Sequence, residues 1–308
     1  MRLLFLINRR RRNQPPDPRL LDQMKALIRR AGVEHRLELC DSPEHSEQIA
    51  REAIEHGFDT IWLGGGDGSV YHLINQLRDA QVTYGVVPMG TMNALARSLK
   101  VPRDPIEAVQ WLLNATARPM DLGEVQGRRF AVFASVGYHA AIMHGINPEL
   151  KRRHGKLAFF ESGIRVTARL RELPEFQLEF EPRYFSPPDQ ARESYVCTLG
   201  HSLVVSNVHN YAGFGIIREQ PNFPVLLDLQ LFRNASVLSM ARWFWNVRYG
   251  AGWRADVAGV EHFGAAECVL KSERPLSVQL DGEPVALENP CELSFRCLPG
   301  IVQFLQTS

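Results

Sequence analysis

The stretch Gly64-Gly65-Gly66-Asp67-Gly68-Ser69 combines four glycines with one carboxylate and one hydroxyl. Glycine has no Cβ, so such a backbone turns tightly and approaches a ligand closely. A glycine loop that opens a helix also presents free N–H groups and a positive dipole end, which suits phosphate. A carboxylate in that loop would repel phosphate directly, so Asp67 is expected to act through Mg²⁺ or water held between itself and the phosphates. A second loop, Pro88-Met89-Gly90-Thr91-Met92-Asn93-Ala94-Leu95-Ala96-Arg97, offers Thr91 and Asn93 as caps or ligand contacts. A third element, Leu280-Asp281-Gly282-Glu283-Pro284, sets two carboxylates around one glycine. Taken singly, Asp-Gly reads as a hairpin turn and the glycine loop as a plain strand–turn–helix connection. No GxxxxGK[ST] or HRDxxxxN occurs, so neither a P-loop nor a protein-kinase catalytic loop is encoded.

The elements that must carry these loops follow from hydrophobic period. Leu3–Ile7, His35–Leu39, Thr60–Leu63 and Tyr84–Val87 read as strands. Helical spacing runs through Pro18–Ala31 (Leu20, Leu21, Met24, Leu27, Ile28), Ser46–His56 with Gly57 as C-cap, Asn93–Leu99 and Pro105–Leu113. A helix is expected from about Val70. This alternation predicts an α/β domain over residues 1–120, with a parallel sheet and helices on its faces. Loops on neighbouring strands of such a sheet meet at its carboxyl edge, where ligands bind. From about Asp121 the period changes. Arg129–Val136, Glu175–Phe180, Tyr195–Val205, Val225–Phe232, Ala266–Leu270 and Leu276–Leu280 read as strands of a β-rich second domain over residues 121–299. Helical stretches are expected at Pro148–Arg171 and Ser236–Tyr249, and an exposed loop at Tyr184–Glu193.

Composition excludes several classes. The 308 residues are 45% hydrophobic and 22% charged, with 35 Lys+Arg against 34 Asp+Glu. A net charge of +1 supplies no field toward nucleic acid. Five cysteines, an odd number without a CxxC pair, argue against a disulfide framework and for a reducing compartment, and no zinc-ligand spacing occurs. In MRLLFLINRRRR the arginines follow the apolar run instead of preceding it, so a buried first strand is expected there and not a signal peptide. Phe130–Met143 is too short and polar to span a bilayer. A cytoplasmic protein that touches a membrane peripherally is the expectation. Ser236–Tyr249, with Trp243, Trp245, Arg242 and Arg248, is the candidate membrane contact, along with the basic residues Lys151, Arg152, Arg153 and Lys156. Burial of the same aromatics in a core is the competing reading.

GGGDGS, PMGTMNALAR and LDGEP, in this order, resemble the diacylglycerol kinase catalytic-domain family, which includes the YegS-like bacterial lipid kinases and the sphingosine and ceramide kinases. Asp121-Leu122-Gly123 and Val204-Val205-Ser206-Asn207 extend the similarity along the chain. The resemblance implies an N-terminal α/β domain like those of phosphofructokinases and NAD kinases, and a C-terminal β-sandwich. The last strand, residues 300–308, would return to the first domain. It implies ATP and Mg²⁺ as cofactors and a lipid hydroxyl as acceptor. Carried over residue by residue, Gly64, Gly65, Gly66, Asp67, Gly68 and Ser69 bind nucleotide phosphates, joined by Thr91 and Asn93. Asp67 serves the metal, and Glu283 accepts the proton with Asp281 beside it. Departures are Ser69 for the usual Thr, four arginines after Asn8, Cys40 near a nucleotide-contacting Thr, Ala94 after Asn93, and His139 for a frequent Asp. With Pro224-Val225 in place of an acidic residue and only Asp228 downstream, no structural Mg²⁺ is expected in the second domain. A kinase of a soluble acceptor such as NAD⁺, or a non-catalytic lipid- or nucleotide-binding protein, remains the alternative.

Overall fold

The structure, a computed structural model, describes residues 1–9, 16–145, 162, 165–166, 173–181, 184–186, 196–207, 210–211, 214–215, 227–233 and 260–307. Two compact units are present, Met1–Asp121 with Pro299–Ser308, and Leu122–Leu298.

The first unit alternates β1 (Arg2–Asn8), α1 (Pro18–Arg30), β2 (Glu34–Cys40), α2 (Pro43–Glu55), β3 (Thr60–Gly65), α3 (Asp67–Gln76), β4 (Thr83–Pro88), α4 (Ala94–Ser98) and α5 (Pro105–Leu113). The strands form a parallel sheet in the order β2-β1-β3-β4, and near the chain's end Gln303 and Phe304 pair in parallel with Thr83 and Tyr84. β1 and β3 are buried on both faces, as their unbroken apolar runs require. Phe5 and Trp62 meet edge to face at 5.7 Å between ring centroids, and Tyr84 and Phe304 lie 5.5 Å apart. The helices are capped in two ways. α1, α2 and α5 each begin with a capping residue followed by proline. Asp17, Ser42 and Asp104 accept first-turn N–H bonds ahead of Pro18, Pro43 and Pro105. α3 and α4, which follow the two loops singled out above, have no side-chain cap of their own.

The second unit is built from β5 (Thr116–Val125, which enters it from the first), β6 (Arg128–Phe130), β7 (Phe133–Gly137), α6 (Tyr138–His144), β8 (Phe176–Phe180), β9 (Tyr184–Ser186), β10 (Val196–Gly200), β11 (Ser202–Ser206), β12 (Asn210–Tyr211), β13 (Phe214–Gly215), β14 (Leu227–Phe232), β15 (Val260–Ala265), β16 (Glu267–Lys271), β17 (Val278–Leu280), β18 (Glu283–Val285) and β19 (Glu292–Gln306). One antiparallel sheet has the order β10-β8-β16-β19 and the other β18-β17-β7-β11-β14-β15-β9. Phe180 of the first and Phe263 of the second meet with ring centroids 4.8 Å apart and planes tilted by 60°, so the sheets share one core. The α/β and β-sandwich architectures expected from the sequence are both present.

Several expected elements are corrected. Arg129–Val136 is not one strand but β6 and β7, interrupted at Ala131 and Val132, whose N–H groups bond a side chain instead of a neighbouring strand. Tyr195–Val205 likewise divides into β10 and β11 at His201, whose N–H reaches across to Phe232. Tyr184–Ser186, expected in a loop, pairs with β15. The helix expected from Val70 starts at Asp67, because the extended backbone of Gly66 (φ −106°, ψ −175°) lets it begin at once. α6, β15 and most of β5 carry no expectation from the sequence. The expected helix at Ser236–Tyr249, its aromatic and basic side chains, Arg10–Arg12 and the basic residues 151–156 lie outside the described residues, as does most of Pro148–Arg171. Among the described residues no helix is long and apolar enough to cross a membrane.

Candidate functional site

In the first unit, the two loops follow adjacent strands. Gly64 and Gly65 end β3, Gly66 is the N-cap of α3, and Asp67, Gly68 and Ser69 form its first turn. The first N–H groups of any helix lack acceptors within it. In α3 the Ser69 N–H turns back to the Gly66 carbonyl at 3.0 Å, and the N-cap, Gly66, supplies no side chain to take the others. Ser69 Oγ accepts a 3.3 Å bond from Asn8 Nδ2 at the end of β1, so the neighbouring strand steadies the loop hydroxyl.

The second loop lies directly against the first. The Met89 N–H donates to the Gly65 carbonyl at 2.9 Å. Gly66 and Gly90 are in backbone contact: a Cβ built on Gly90 would stand 2.5 Å from the Gly66 Cα. Asp67 then fastens the two together. Its Oδ2 accepts the Ala94 N–H and its Oδ1 the Leu95 N–H, both at 3.0 Å. These are the orphan amides of α4, so Asp67 caps a helix that belongs to the other loop. Burial pushes the Asp67 carboxyl above the ordinary carboxylate range, while the N–H groups of Ala94 and Leu95, and to a smaller extent Arg97, pull it back.

Asn93 stands at the N-cap position of α4 but makes no side-chain cap bond there. Its backbone is left-handed (φ 49°), which Asn tolerates, and its side chain closes on Gly90. Oδ1 accepts the Gly90 N–H at 2.9 Å and Nδ2 donates to the Gly90 carbonyl at 3.0 Å. Thr91 is exposed at the tip of the loop.

Mg²⁺ is usually held by one or two carboxylates together with phosphates and water, not by an all-protein cage. Among the described residues no cluster of three His, Cys, Asp or Glu side chains occurs. Three N–H groups, those of Ala94, Leu95 and Asp67 itself, take lone pairs on the two Asp67 oxygens, which leaves one lone pair for water or metal. The donor set fits Mg²⁺ bound together with nucleotide phosphates.

The second unit holds the third element. Leu280 pairs with Glu283, and the intervening Asp281 (φ 51°) and Gly282 (φ 89°) both have positive φ. That is a two-residue type I′ hairpin, the turn Asp-Gly favours. The hairpin is also anchored. Asp281 is only 6% exposed. Its Oδ1 accepts the Val132 and Phe133 N–H groups at 2.8 and 3.0 Å, and its Oδ2 the Ala131 N–H at 2.8 Å. The same segment is gripped by Asn207, whose Nδ2 donates to the Ala131 carbonyl at 3.1 Å. Asp281 thus serves as a backbone anchor and leaves Glu283, half-buried at the head of β18, as the acid of the hairpin that is not spent on the main chain. Asp228, the one acidic residue in its stretch, is buried and accepts from Gln230 Nε2 at 3.2 Å. Asn8 and the anchoring roles of Asp281 and Asn207 carry no plain sequence signal, since each depends on a partner brought close only by the fold.

Fold and loops together define a class: an α/β unit whose glycine loops meet at the carboxyl edge of a parallel sheet, with a β-sandwich following in the chain. Residues 2–125 match the family model for the diacylglycerol kinase catalytic domain, and this segment belongs to that family. A Bacillus subtilis (strain 168) protein described as diacylglycerol kinase is 32% identical over 168 residues, 54% of this chain and 55% of that one. A Stenotrophomonas maltophilia (strain K279a) protein, described as probable lipid kinase YegS-like, is 27% identical over 287 residues, 88% of this chain and 86% of that one. The chain spans about half the length of the Bacillus subtilis relative. The crystal structure of a diacylglycerol kinase from Bacillus anthracis str. Sterne has the same fold, with a TM-score of 0.71 and 16% identity over 99% of this chain and 97% of that one.

Proposed function

We propose that the protein is an ATP-dependent kinase that phosphorylates a hydroxyl of a lipid, of the diacylglycerol or sphingoid class. The observation that carries this reading is the pair of interlocked glycine loops, lying within the segment that belongs to the diacylglycerol kinase family. The N–H groups of Gly66 and Gly68 receive the nucleotide phosphates at the start of α3, and the Ser69 hydroxyl adds a donor. Asp67 would hold Mg²⁺, which when bound would neutralise phosphate charge. Glu283 takes the proton of the lipid hydroxyl as its oxygen bonds to the γ-phosphorus, and the bond from that phosphorus to the bridging oxygen breaks to release ADP. General-base assistance of this kind contributes about 10²–10⁴-fold. The chain lies in the cytoplasm and meets the membrane surface peripherally, where its substrate is.

Turnover of labelled ATP against a panel of diacylglycerol, sphingoid base, ceramide and NAD⁺ tests the reading. Label is expected in a lipid. Label in NAD⁺ alone, or in nothing, sinks it. Glu283→Gln is expected to lose at least about 10²-fold in kcat while keeping nucleotide affinity, because a base acts in the transition state. Asp67→Asn is expected to lose both turnover and Mg²⁺-dependent nucleotide binding, and near-normal turnover by the folded variant would remove Asp67 from the site.

A further inference from the structure

The hairpin that carries Glu283 leaves one amide without a partner in its own ladder. In a two-residue I′ turn the last residue bonds back to the first, and the N–H of the third has no acceptor within the turn. Here that N–H belongs to Gly282, the residue before Glu283. It is met by Gln279, whose Oε1 accepts it at 2.7 Å. Gln279 lies fully buried on β17, between β18 and β7.

The amide is held at its other end as well. Gln279 Nε2 donates to Ser135 Oγ at 2.9 Å, and that hydroxyl lies 2.8 Å from His139 Nδ1. The Gly282 N–H can only donate, so the Gln279 oxygen faces it and Nε2 is left to face Ser135 Oγ. Burial keeps His139 neutral, with its pKa pushed down to about 4, and its Nδ1 shares a hydrogen bond with the Ser135 hydroxyl. A flipped Gln279 amide would set its NH₂ against the Gly282 N–H and its oxygen against the Ser135 oxygen, which no longer has the amide as donor.

A buried polar chain beside Leu203, Leu229, Val278 and Leu280 is costly unless fully satisfied. What it adds is an acceptor at fixed height beneath the turn. Asp281 pins the turn to residues 131–133, and Gln279 pins the next peptide. Between them the backbone leading into Glu283 has little freedom left. We propose that Gln279 is a positioning residue that aims Glu283, with the Gly282 N–H setting the direction of its amide and Ser135, itself bonded to His139, holding the amide's far end. This rests on the reading of Glu283 as proton acceptor.

The test compares Gln279→Leu and Ser135→Ala, each in wild-type and Glu283→Gln backgrounds, using ATP and the panel lipid that the wild type phosphorylates fastest. Gly282 amide exchange is followed in parallel. Gln279→Leu is expected to lower kcat by about 10- to 100-fold, with the KM for ATP unchanged, as misplacement by a fraction of an ångström to an ångström does. Ser135→Ala is expected to lower it by a smaller factor, and Gly282 exchange to accelerate in both. In the Glu283→Gln background, Gln279→Leu is expected to change the residual rate by less than about twofold, since there is no longer a base to aim. Wild-type kcat in a folded Gln279→Leu protein overturns the proposal. Equal losses in both backgrounds also overturn it, because they mark a merely structural role. Should Gln279→Leu fail to fold, Ser135→Ala decides by the same two readouts, and unchanged kcat with unchanged Gly282 exchange overturns the proposal. Full turnover by Glu283→Gln, or a wild type that phosphorylates no lipid, defeats the function reading itself and this inference with it.

Discussion

Replacing Gly90 by alanine adds one methyl group at the point where the two loops touch. The new Cβ would stand 2.5 Å from the Gly66 Cα, 2.7 Å from Asn93 Oδ1 and 3.1 Å from the Gly66 N. Carbon atoms at ease sit about 3.5–4.0 Å apart, so the loops must separate by about 1 Å. The obstacle is backbone, which cannot rotate away. Neither Gly66 nor Gly90 has a positive φ, so conformational strain is not a rival cause. Overpacking of this kind costs about 1–3 kcal/mol of stability, and if the loop binds phosphate as proposed, its displacement by about 1 Å is expected to lower turnover by about 10²-fold. The converse change is milder, since a Cβ on Gly66 would stand 3.2 Å from the Gly90 Cα and need about a third of the movement. Urea unfolding of both variants, with calorimetric titration of ATP and Mg²⁺ into Gly90→Ala, measures both effects. If Gly90→Ala is as stable as wild type, or no less stable than Gly66→Ala, the loops are not in the contact described. If it binds nucleotide normally, loop spacing does not govern the site.

Two further outcomes concern the second unit. Asp281→Asn replaces one acceptor oxygen by an NH₂ that faces a main-chain N–H, and is expected to cost about 1.5–3 kcal/mol in urea unfolding; a loss under about 0.5 kcal/mol would deny the carboxylate its anchoring role. His139 is held neutral in the folded chain, with its pKa near 4, and protonates near 6.5 when unfolded, so its contribution is complete above pH 6.5 and lost as pH falls toward 4. Stability is expected to drop by at most about 3 kcal/mol across that window and to drop less in His139→Gln, and equal pH profiles would show that His139 is not the group responsible.

The first unit was legible because local signals and tertiary structure agree there. Apolar runs such as Leu3–Ile7 became strands buried on both faces, and the helices expected from Pro18 and Pro105 start there, whereas the one expected from Ser46 starts at Pro43, behind its cap Ser42. The glycine loops announced themselves by composition. Their interlocking did not, since the contact of Gly66 with Gly90 and the reach of Asp67 to Ala94 join positions more than twenty residues apart. In the second unit the apolar run through residues 129–136 has no glycine or proline to divide it. The break at Ala131 and Val132 is imposed by Asp281, about 150 residues on, so no reading of the run itself finds it. The LDGEP turn was legible as a hairpin and as an acid pair. The sequence alone does not tell which acid is free and which is bound to the main chain.

A loop of glycines is the most disordered thing a chain can make, and a ligand that had to order it would bind weakly. Fixing one residue's backbone costs about 1–2 kcal/mol, and more for glycine. The carboxylate of Asp67, the amide of Asn93 and the Met89 N–H hold this loop in shape through bonds made when the chain folds. Most of that entropy is therefore lost before any ligand arrives, so on the proposed function binding energy stays available for the reacting phosphate. The same fastening makes the order of α4 and the shape of the glycine loop a single thermodynamic variable. A perturbation that frays the short helix would be felt as weaker nucleotide affinity, and a bound nucleotide would in return protect the Ala94 and Leu95 amides from exchange.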